Sequence, residues 1–135
     1  MILTETKFEF QGQKGTGALF EFRGQKGTIA LDEYSLGGTC LLFLAEGEDL
    51  IGGSLVPLSV RIPGRQPSSR NQVYIKDYSE LNGILFELER QGIIKPEKFY
   101  SRVRISPWVS APLVTLSDEI SKFLPFSPSF KEESK

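Results

Sequence analysis

Apolar and polar residues alternate along most of the chain, and a period of two is typical of half-buried β-strands. Near the start, Phe8 and Phe10 alternate with charged or amide side chains, whereas Ala18, Phe20 and Phe22 share one face of the next segment. This part of the chain therefore predicts an antiparallel meander of three strands.

One pattern of twelve residues occurs twice in succession, as FEFQGQKGTGAL at residues 8–19 and as FEFRGQKGTIAL at residues 20–31. Two positions differ between the copies, Gln11/Arg23 and Gly17/Ile29. Each copy predicts half a strand, a tight turn and half a strand, with glycine supplying the positive φ angles of the turn. Because a solenoid needs at least three stacked units, we interpret the pair as a duplicated hairpin.

We expect the first copy, residues 8–19, to be a peripheral arm, because Gly17 leaves a poorer strand face than Ile29. Residues of the second copy should then be more buried than their counterparts: Phe20, Phe22, Ile29 and Leu31 against Phe8 and Phe10. An added strand at the edge of the sheet is also a place where a partner or a second copy of the chain can pair.

The middle of the chain predicts further strands. Residues 40–45 are apolar on both faces, as in a central strand, and residues 54–62 alternate, with Pro57 marking an edge or a bulge. After a longer turn, one more strand is expected to point its aliphatic side chains inward (Val73, Ile75) and its neighbours outward (Tyr74, Lys76).

The clearest helix signal covers about residues 78–91. Four apolar residues occupy one helical face there: Leu81, Ile84, Leu85 and Leu88. Asp77 and Glu80 have the spacing of an acidic capping box, and Gly92 is expected to end the helix in a Schellman motif.

The remaining elements complete an α+β fold. Ser106 and Pro107 predict a turn between two strands, and a short C-terminal helix is expected to end before Pro125. We predict a mainly antiparallel sheet of about six to eight strands, with the helix at about 78–91 packed on one face. The 135 residues fit a single domain over 1–125, followed by a loose tail at 126–135.

Composition excludes several chemistries. The chain has no histidine, which removes the usual general base at neutral pH and the Ser-His and Cys-His pairs. Phosphate-loop and dinucleotide fingerprints are absent from the sequence. Cys40 lies in an apolar run, which is typical of a buried thiol in a reducing compartment. We expect a protein that is not an enzyme and has no catalytic residue, cofactor or metal site.

Location is also constrained by the sequence. The first residues lack the basic start and apolar core of a signal peptide, and no apolar run approaches the ~20 residues of a membrane helix. We therefore expect a cytoplasmic protein that does not associate with membranes.

Carboxylates cluster at Glu46, Glu48 and Asp49, and again at Asp32 and Glu33. Such groups can support hydrolysis or bind a divalent metal. Solvated acids at the ends of hairpins are the simpler interpretation.

Basic residues are concentrated in two intervals, although the formal net charge is only −1. No acid lies between Asp49 and Asp77 or between Glu97 and Asp118. If strands from these intervals are neighbours, their side chains form a face that can contact phosphates and stack on bases. The members of this candidate face are Arg61, Arg65, Arg70, Tyr74, Lys76, Tyr100, Arg102 and Arg104.

Two segments carry a resemblance to a known group. Residues 73–84, VYIKDYSELNGI, lead into the helix that ends at Gly92, and residues 110–116 are SAPLVTL. In these segments the chain resembles a family of small uncharacterised bacterial proteins carried on plasmids, phages and conjugative elements. The resemblance spans roughly residues 20–118. It implies an accessory protein of a mobile element and assigns no functional residue.

We therefore predict a non-enzymatic binding protein of a bacterial mobile element that acts through protein–protein contact. Inhibition of a host defence complex is the specific hypothesis. The alternative is a nucleic-acid or nucleotide binder that uses the face around Arg61, Arg102 and Arg104. A homodimer formed through an edge strand is a further expectation. The slightly acidic net charge argues against a dedicated nucleic-acid binder.

Overall fold

A computed structural model describes residues 3–10, 13–45 and 54–123 of the 135-residue chain. The first sheet is an antiparallel meander of five strands in chain order: β1 (Glu5–Phe10), β2 (Gln13–Phe22), β3 (Gln25–Glu33), β4 (Thr39–Ala45) and β5 (Ser54–Pro57). The acidic cluster predicted at Glu46, Glu48 and Asp49 lies outside the described residues, as does the tail predicted at 126–135.

The second sheet has four shorter antiparallel strands in the order β6, β7, β9, β8. These strands are β6 (Ser59–Val60), β7 (Gln72–Ile75), β8 (Arg102–Ser106) and β9 (Val109–Thr115). A 3-10 turn (Ser79–Leu81) and helix α1 (Ile84–Arg90) lie between β7 and β8, and a single-turn helix α2 (Asp118–Ser121) follows β9.

The architecture is a small α+β fold built mostly of antiparallel sheet, as the sequence predicts. The strands form two sheets of five and four rather than one sheet of six to eight, because the strand predicted at 54–62 divides after Pro57. Helix α1 is also shorter than the predicted 78–91. Its predicted packing across one face of a single sheet is not confirmed.

The chain passes from the first sheet to the second at Pro57, which has no N–H to donate to a ladder. The next residue bonds to both sheets: the N–H of Leu58 donates to the carbonyl of Leu41 in β4 at 2.8 Å, and its carbonyl accepts from the N–H of Lys76 at 2.8 Å. The Ser59 hydroxyl accepts a bond from the N–H of Leu41 at 3.0 Å. This corner therefore fixes the two sheets relative to each other.

One buried cluster joins both sheets and both helices. The rings of Phe20 and Phe43 meet edge-on in the first sheet, with their centroids 5.5 Å apart. Val73 and Ile75 of β7 point into the same cluster, as predicted. The predicted helical stripe contributes as well, because Leu81, Ile84 and Leu88 are buried and Leu85 packs against them.

Both copies of the repeat form hairpins with the same register. Phe8 lies opposite Gly15, and twelve residues later Phe20 lies opposite Gly27. Strand β2 pairs with β1 through its first part and with β3 from Ala18 onward. The two hairpins therefore share one strand but occupy successive halves of it.

Burial differs between the two copies. Phe20 and Ile29 are fully buried in the core, whereas Phe8 is half-buried and Phe22 and Leu31 are partly buried against the core. The side chain of Phe10 lies outside the described part of the chain.

The two differences between the copies have structural reasons. Arg23 lies in a two-residue turn with a φ of 52°, and its guanidinium donates to the carbonyls of Glu80 at 3.2 Å and Asn82 at 2.6 Å. This contact fastens the second hairpin to the segment before α1. Gly17 marks a close approach, since a Cβ there would lie 2.0 Å from the carbonyl oxygen of Ile29.

Asp77 caps α1, although not through the predicted capping box. Its carboxylate accepts hydrogen bonds from the N–H groups of Gly83 at 2.9 Å and Leu85 at 3.2 Å. The 3-10 turn places these donors beside Asp77, so that α1 begins six residues later than predicted. Glu80 instead pairs with Lys76 at 2.7 Å.

The C-terminal end of α1 is the predicted Schellman motif. Gly92 has a φ of 81°, which favours glycine. The N–H of Ile93 donates to the carbonyl of Leu88 at 2.9 Å, and the N–H of Gly92 donates to that of Glu89 at 3.2 Å.

The repeat supplies a matched pair of substitutions. A Cβ at Gly27 would lie 2.4 Å from the carbonyl oxygen of Leu44 and 2.8 Å from the Cα of Ala45. Gly27→Ala is therefore expected to lower the free energy of unfolding by about 1–3 kcal/mol, because the backbone of β4 must move.

Gly15→Ala is the control at the same position of the first copy. There the closest atom is the tip of the Phe8 ring at 2.6 Å, which can rotate away. Urea unfolding should show a clearly larger loss for Gly27→Ala, and equal losses in the two variants would contradict this assignment of the core copy.

Candidate binding surface

The basic face predicted from the sequence is divided by the topology of the second sheet. Strand β9 lies between β7 and β8. Arg104 lies opposite Ser110 of β9, whereas Tyr74 lies opposite Leu113. Since successive residues of a strand point to opposite faces, Arg104 and Arg102 project from one face and Tyr74 from the other.

Three of the predicted arginines lie around the loop between β6 and β7, away from β8. The guanidinium of Arg61 donates to the carbonyl of Gly37 at 3.3 Å and to that of Leu36 at 3.4 Å. Arg65 is exposed and lines the same shallow depression as Arg61. Arg70 is exposed, and its carbonyl accepts a hydrogen bond from the Thr39 hydroxyl.

Tyr74 is buried, with 7% of its surface exposed, so the expectation that it points outward is wrong. It lines a depression together with Tyr34 and Gly38 from the β3–β4 region and Gln66 and Pro67 from the loop after β6. These segments approach the face of β7 that the alternation assigned to solvent. The sequence pattern could not show that both faces of β7 are covered.

Lys76 and Tyr100 make contacts within the protein. The ammonium of Lys76 lies 2.7 Å from the carboxylate of Glu80 and 5.9 Å from the ring centroid of Tyr78. The hydroxyl of Tyr100 donates to the carboxylate of Glu89. Burial, together with this bond, raises the pKa of Tyr100 to about 12. Neither side chain is therefore a free contact group.

The β8–β9 hairpin carries the most exposed of the large apolar side chains described. Ser106 pairs with Val109, which leaves a two-residue turn with Trp108 at its second position. Trp108 is 91% exposed; Ile105 is 44% exposed, and Phe99, just before β8, is 84% exposed. Because tryptophan dominates the contact energy of many protein interfaces, this turn is a candidate contact site.

Strand β8 carries one extra residue beside the turn. Arg104 opposes Ser110 but Ser106 opposes Val109, so Ile105 has no residue opposite it. A bulge of this kind bends its strand and redirects side chains, and bulges are frequent next to functional sites. The N–H of Trp108 lies 3.3 Å from the Ser106 hydroxyl oxygen, which supports the turn.

The same hairpin is basic. Residues 98–117 include Lys98, Arg102 and Arg104 and no acid. Arg102 and Arg104 are both exposed, and the guanidinium of Arg102 lies 3.3 Å from the Ser110 hydroxyl. We define the hairpin surface as Phe99, Arg102, Arg104, Ile105 and Trp108.

An open groove of about 330 Å³ lies beside the residues just before β1, with Leu3, Lys26 and Arg90 on its walls. The carboxamide of Gln91 bonds to both backbone groups of Glu21 in β2: its oxygen accepts from the N–H at 3.0 Å, and its nitrogen donates to the carbonyl at 2.6 Å. The Gln91 side chain thus makes the two hydrogen bonds that the backbone of an adjacent strand would make. The exposed backbone of β2 is therefore satisfied here, and the hairpin surface is the stronger candidate.

Within residues 3–10, 13–45 and 54–123, no three His, Cys, Asp or Glu side chains are placed to hold a metal ion. No helix in them is long and apolar enough to cross a membrane. Burial raises the pKa of the Cys40 thiol, which disfavours the reactive thiolate.

Comparison with known proteins identified no relative: the chain matches no protein-family model, no curated protein and no solved structure. The geometry of the hairpin surface is therefore the basis for a functional proposal.

Sequence reasoning found the two arginines of the hairpin surface but missed its three apolar members, Phe99, Ile105 and Trp108. The pattern predicts a turn at Ser106 and Pro107 and a last strand from Trp108 onward, and it assigns Trp108 no role in binding. The available signal was Ser106-Pro107 directly before it, because proline favours the first central position of a turn. A residue at the second central position then lies at the tip, where few neighbours can cover it.

Trp108 is the only tryptophan in the chain, so selectively excited tryptophan fluorescence reports on the hairpin alone. Acrylamide should quench the native protein almost as efficiently as the urea-unfolded one. Trp108→Ala should change the free energy of unfolding by no more than about 0.5 kcal/mol, because an exposed side chain contributes little to stability. Strong protection of the native indole from the quencher would show that the hairpin packs against the body.

Proposed function

We propose that the protein is a non-enzymatic binding protein that contacts a protein partner through the hairpin surface. The observation that carries this proposal is the 91% exposure of Trp108 at the tip of the β8–β9 turn. Exposed aromatic and arginine side chains next to each other form the typical centre of an interface.

The surroundings of Trp108 support a binding role over a structural one. Ile105 and Phe99 add apolar area that the fold leaves in water, and isolated exposed apolar residues would need no explanation. Here three such residues fall within ten positions of one hairpin and its approach. Arg102 and Arg104 supply charge that can orient a partner.

The resemblance of residues 73–84 and 110–116 to proteins of plasmids, phages and conjugative elements suggests the biological setting. We propose that the partner is a host protein and that binding inhibits a host defence complex. A small chain can do this by covering a surface of the complex, without catalysis. Pairing of β9 with β7 and the bond from Tyr100 to Glu89 of α1 hold the hairpin in place.

A single-stranded nucleic acid is the second candidate partner. The observation that favours it is that Trp108 lies on the same acid-free segment as Arg102 and Arg104, since stacking and phosphate contacts together bind single strands. Arg61 lies apart from β8 and bonds to Gly37, and Tyr74 is buried. Two residues of the basic face predicted from the sequence therefore do not support this candidate.

The leading proposal predicts that capture of a bacterial partner depends on Trp108. The immobilised full chain should retain a specific protein from a bacterial lysate, and Trp108→Ala should lose it because the central apolar contact is gone. Phe86→Ala is the matched control, since Phe86 is an exposed aromatic residue of α1 at 67%. Equal retention by all three proteins, or by none, would contradict a role for the hairpin surface in protein binding.

The second candidate makes a different prediction. Affinity for a single-stranded thymidine oligonucleotide should fall steeply as salt rises, because bound arginines release counterions from the phosphates. Arg102→Ala and Arg104→Ala should each weaken binding and reduce the salt dependence. Fluorescence anisotropy that detects no binding, or binding that salt does not affect, would remove this candidate.

A further inference from the structure

We propose that the open edge of β8 binds an extended peptide as an added strand, and that acidic and apolar residues alternate in this peptide. This inference rests on the proposed function, because it names how a protein partner meets the hairpin surface. It is carried by the backbone and side-chain geometry of β8.

The backbone of β8 presents hydrogen-bonding groups in the right direction. The N–H of Leu113 donates to the carbonyl of Ser101 at 2.7 Å, so Ser101 faces β9, and Val103, two residues later, faces it as well. The N–H and C=O groups of Arg102 and Arg104 therefore point away from β9. In the part of the chain that the structure describes, the sheet ends at β8 on that side.

The side chains of β8 define what a neighbouring strand would meet. Arg102 and Arg104 are exposed on one face, and Val103 projects from the other. Residues directly opposite each other on adjacent strands interact most strongly, and opposite charges are favourable there. Glutamate or aspartate residues opposite the arginines, with apolar residues between them, fit this edge.

A second copy of the chain fits this edge poorly. Antiparallel self-pairing centred on Arg102, Val103 or Arg104 places an arginine directly opposite an arginine of the other copy. Like charges in this position are destabilising. The charge of β8 therefore favours an acidic strand over the homodimer expected from an edge strand.

Trp108 provides a direct readout. The probe is a peptide of about eight residues in which glutamate and valine alternate, long enough for one strand. Titration into the full chain should shift the Trp108 emission to shorter wavelengths, because the added strand reduces the exposure of the indole to water. A peptide of the same composition with its glutamates in one block, and an alternating lysine–valine peptide, should produce no shift.

Charge reversal tests the side-chain contacts. Arg102→Glu combined with Arg104→Glu should weaken binding of the alternating peptide by at least about tenfold, because charge-assisted hydrogen bonds are lost. Arg65→Glu is the matched control on an exposed arginine outside the hairpin, and it should bind as the unmodified chain does.

A backbone variant tests strand addition itself. Arg104→Pro removes the outward N–H of the edge without removing a bond to β9, and edge strands tolerate proline in this position. Arg104→Gln removes the same charge but keeps the N–H. The proline variant should bind the peptide at least about tenfold more weakly than the glutamine variant, and circular dichroism should show both folded.

Each result separates this inference from the proposed function. Equal peptide affinity of Arg104→Pro and Arg104→Gln would overturn strand addition, while loss of lysate capture by Trp108→Ala would leave the proposed function standing. Tight peptide binding, together with lysate capture that Trp108→Ala does not affect, would support strand addition and contradict the proposed function. A dimer in sedimentation experiments that Arg104→Pro dissociates would assign the edge to a second copy and overturn the inference.

Discussion

The backbone of Leu58 is bonded to both sheets, and the position of the remaining elements depends on this residue. Its N–H reaches β4 and its carbonyl reaches the residue after β7, so that one residue joins a five-stranded and a four-stranded sheet. Pro57 is still paired with Leu42 of β4, and the chain turns to the second sheet only after the N–H of Leu58 has bonded to Leu41. The apolar faces of the two sheets then share one cluster with α1 and α2. In the second sheet β6 follows this corner directly, and β8 lies at the opposite edge.

Local signals in the sequence predicted local structure well. The alternation around Phe20 and Val73 and the glycine at position 92 each specify a conformation within a few residues, and the structure confirms them. The start of α1 was misplaced because Asp77 caps it across a 3-10 turn, a contact that no fixed spacing describes. The division into two sheets was also missed, since a proline in a strand indicates an edge or a bulge but not which strands pair beyond it.

The candidate site was predicted only in part because it depends on strand order. Charge spacing identified Arg102 and Arg104, but whether Arg61 and Tyr74 lie beside them depends on β9, which pairs between β7 and β8. The alternation of apolar and polar residues in a strand does not show which distant strand pairs with it. The exposure of Trp108 is likewise a property of the turn that holds it, and hydrophobicity alone assigns such a residue to the core.

The identical register of the two Phe–Gly pairs has a consequence for how this sheet is built. Phe8 shares a face with Gly15, and Gly15 lies five residues before Phe20 on β2, so the equivalent phenylalanines of the two copies project from opposite faces of the sheet. Because the first copy lies at the edge of the sheet, the sheet can gain or lose it without a change in the faces of the later strands. The second copy differs from the first at two positions. Arg23 fastens its turn to the segment before α1, and Ile29 enters the core. In this sense the N-terminal half of the protein is modular on the scale of a single hairpin.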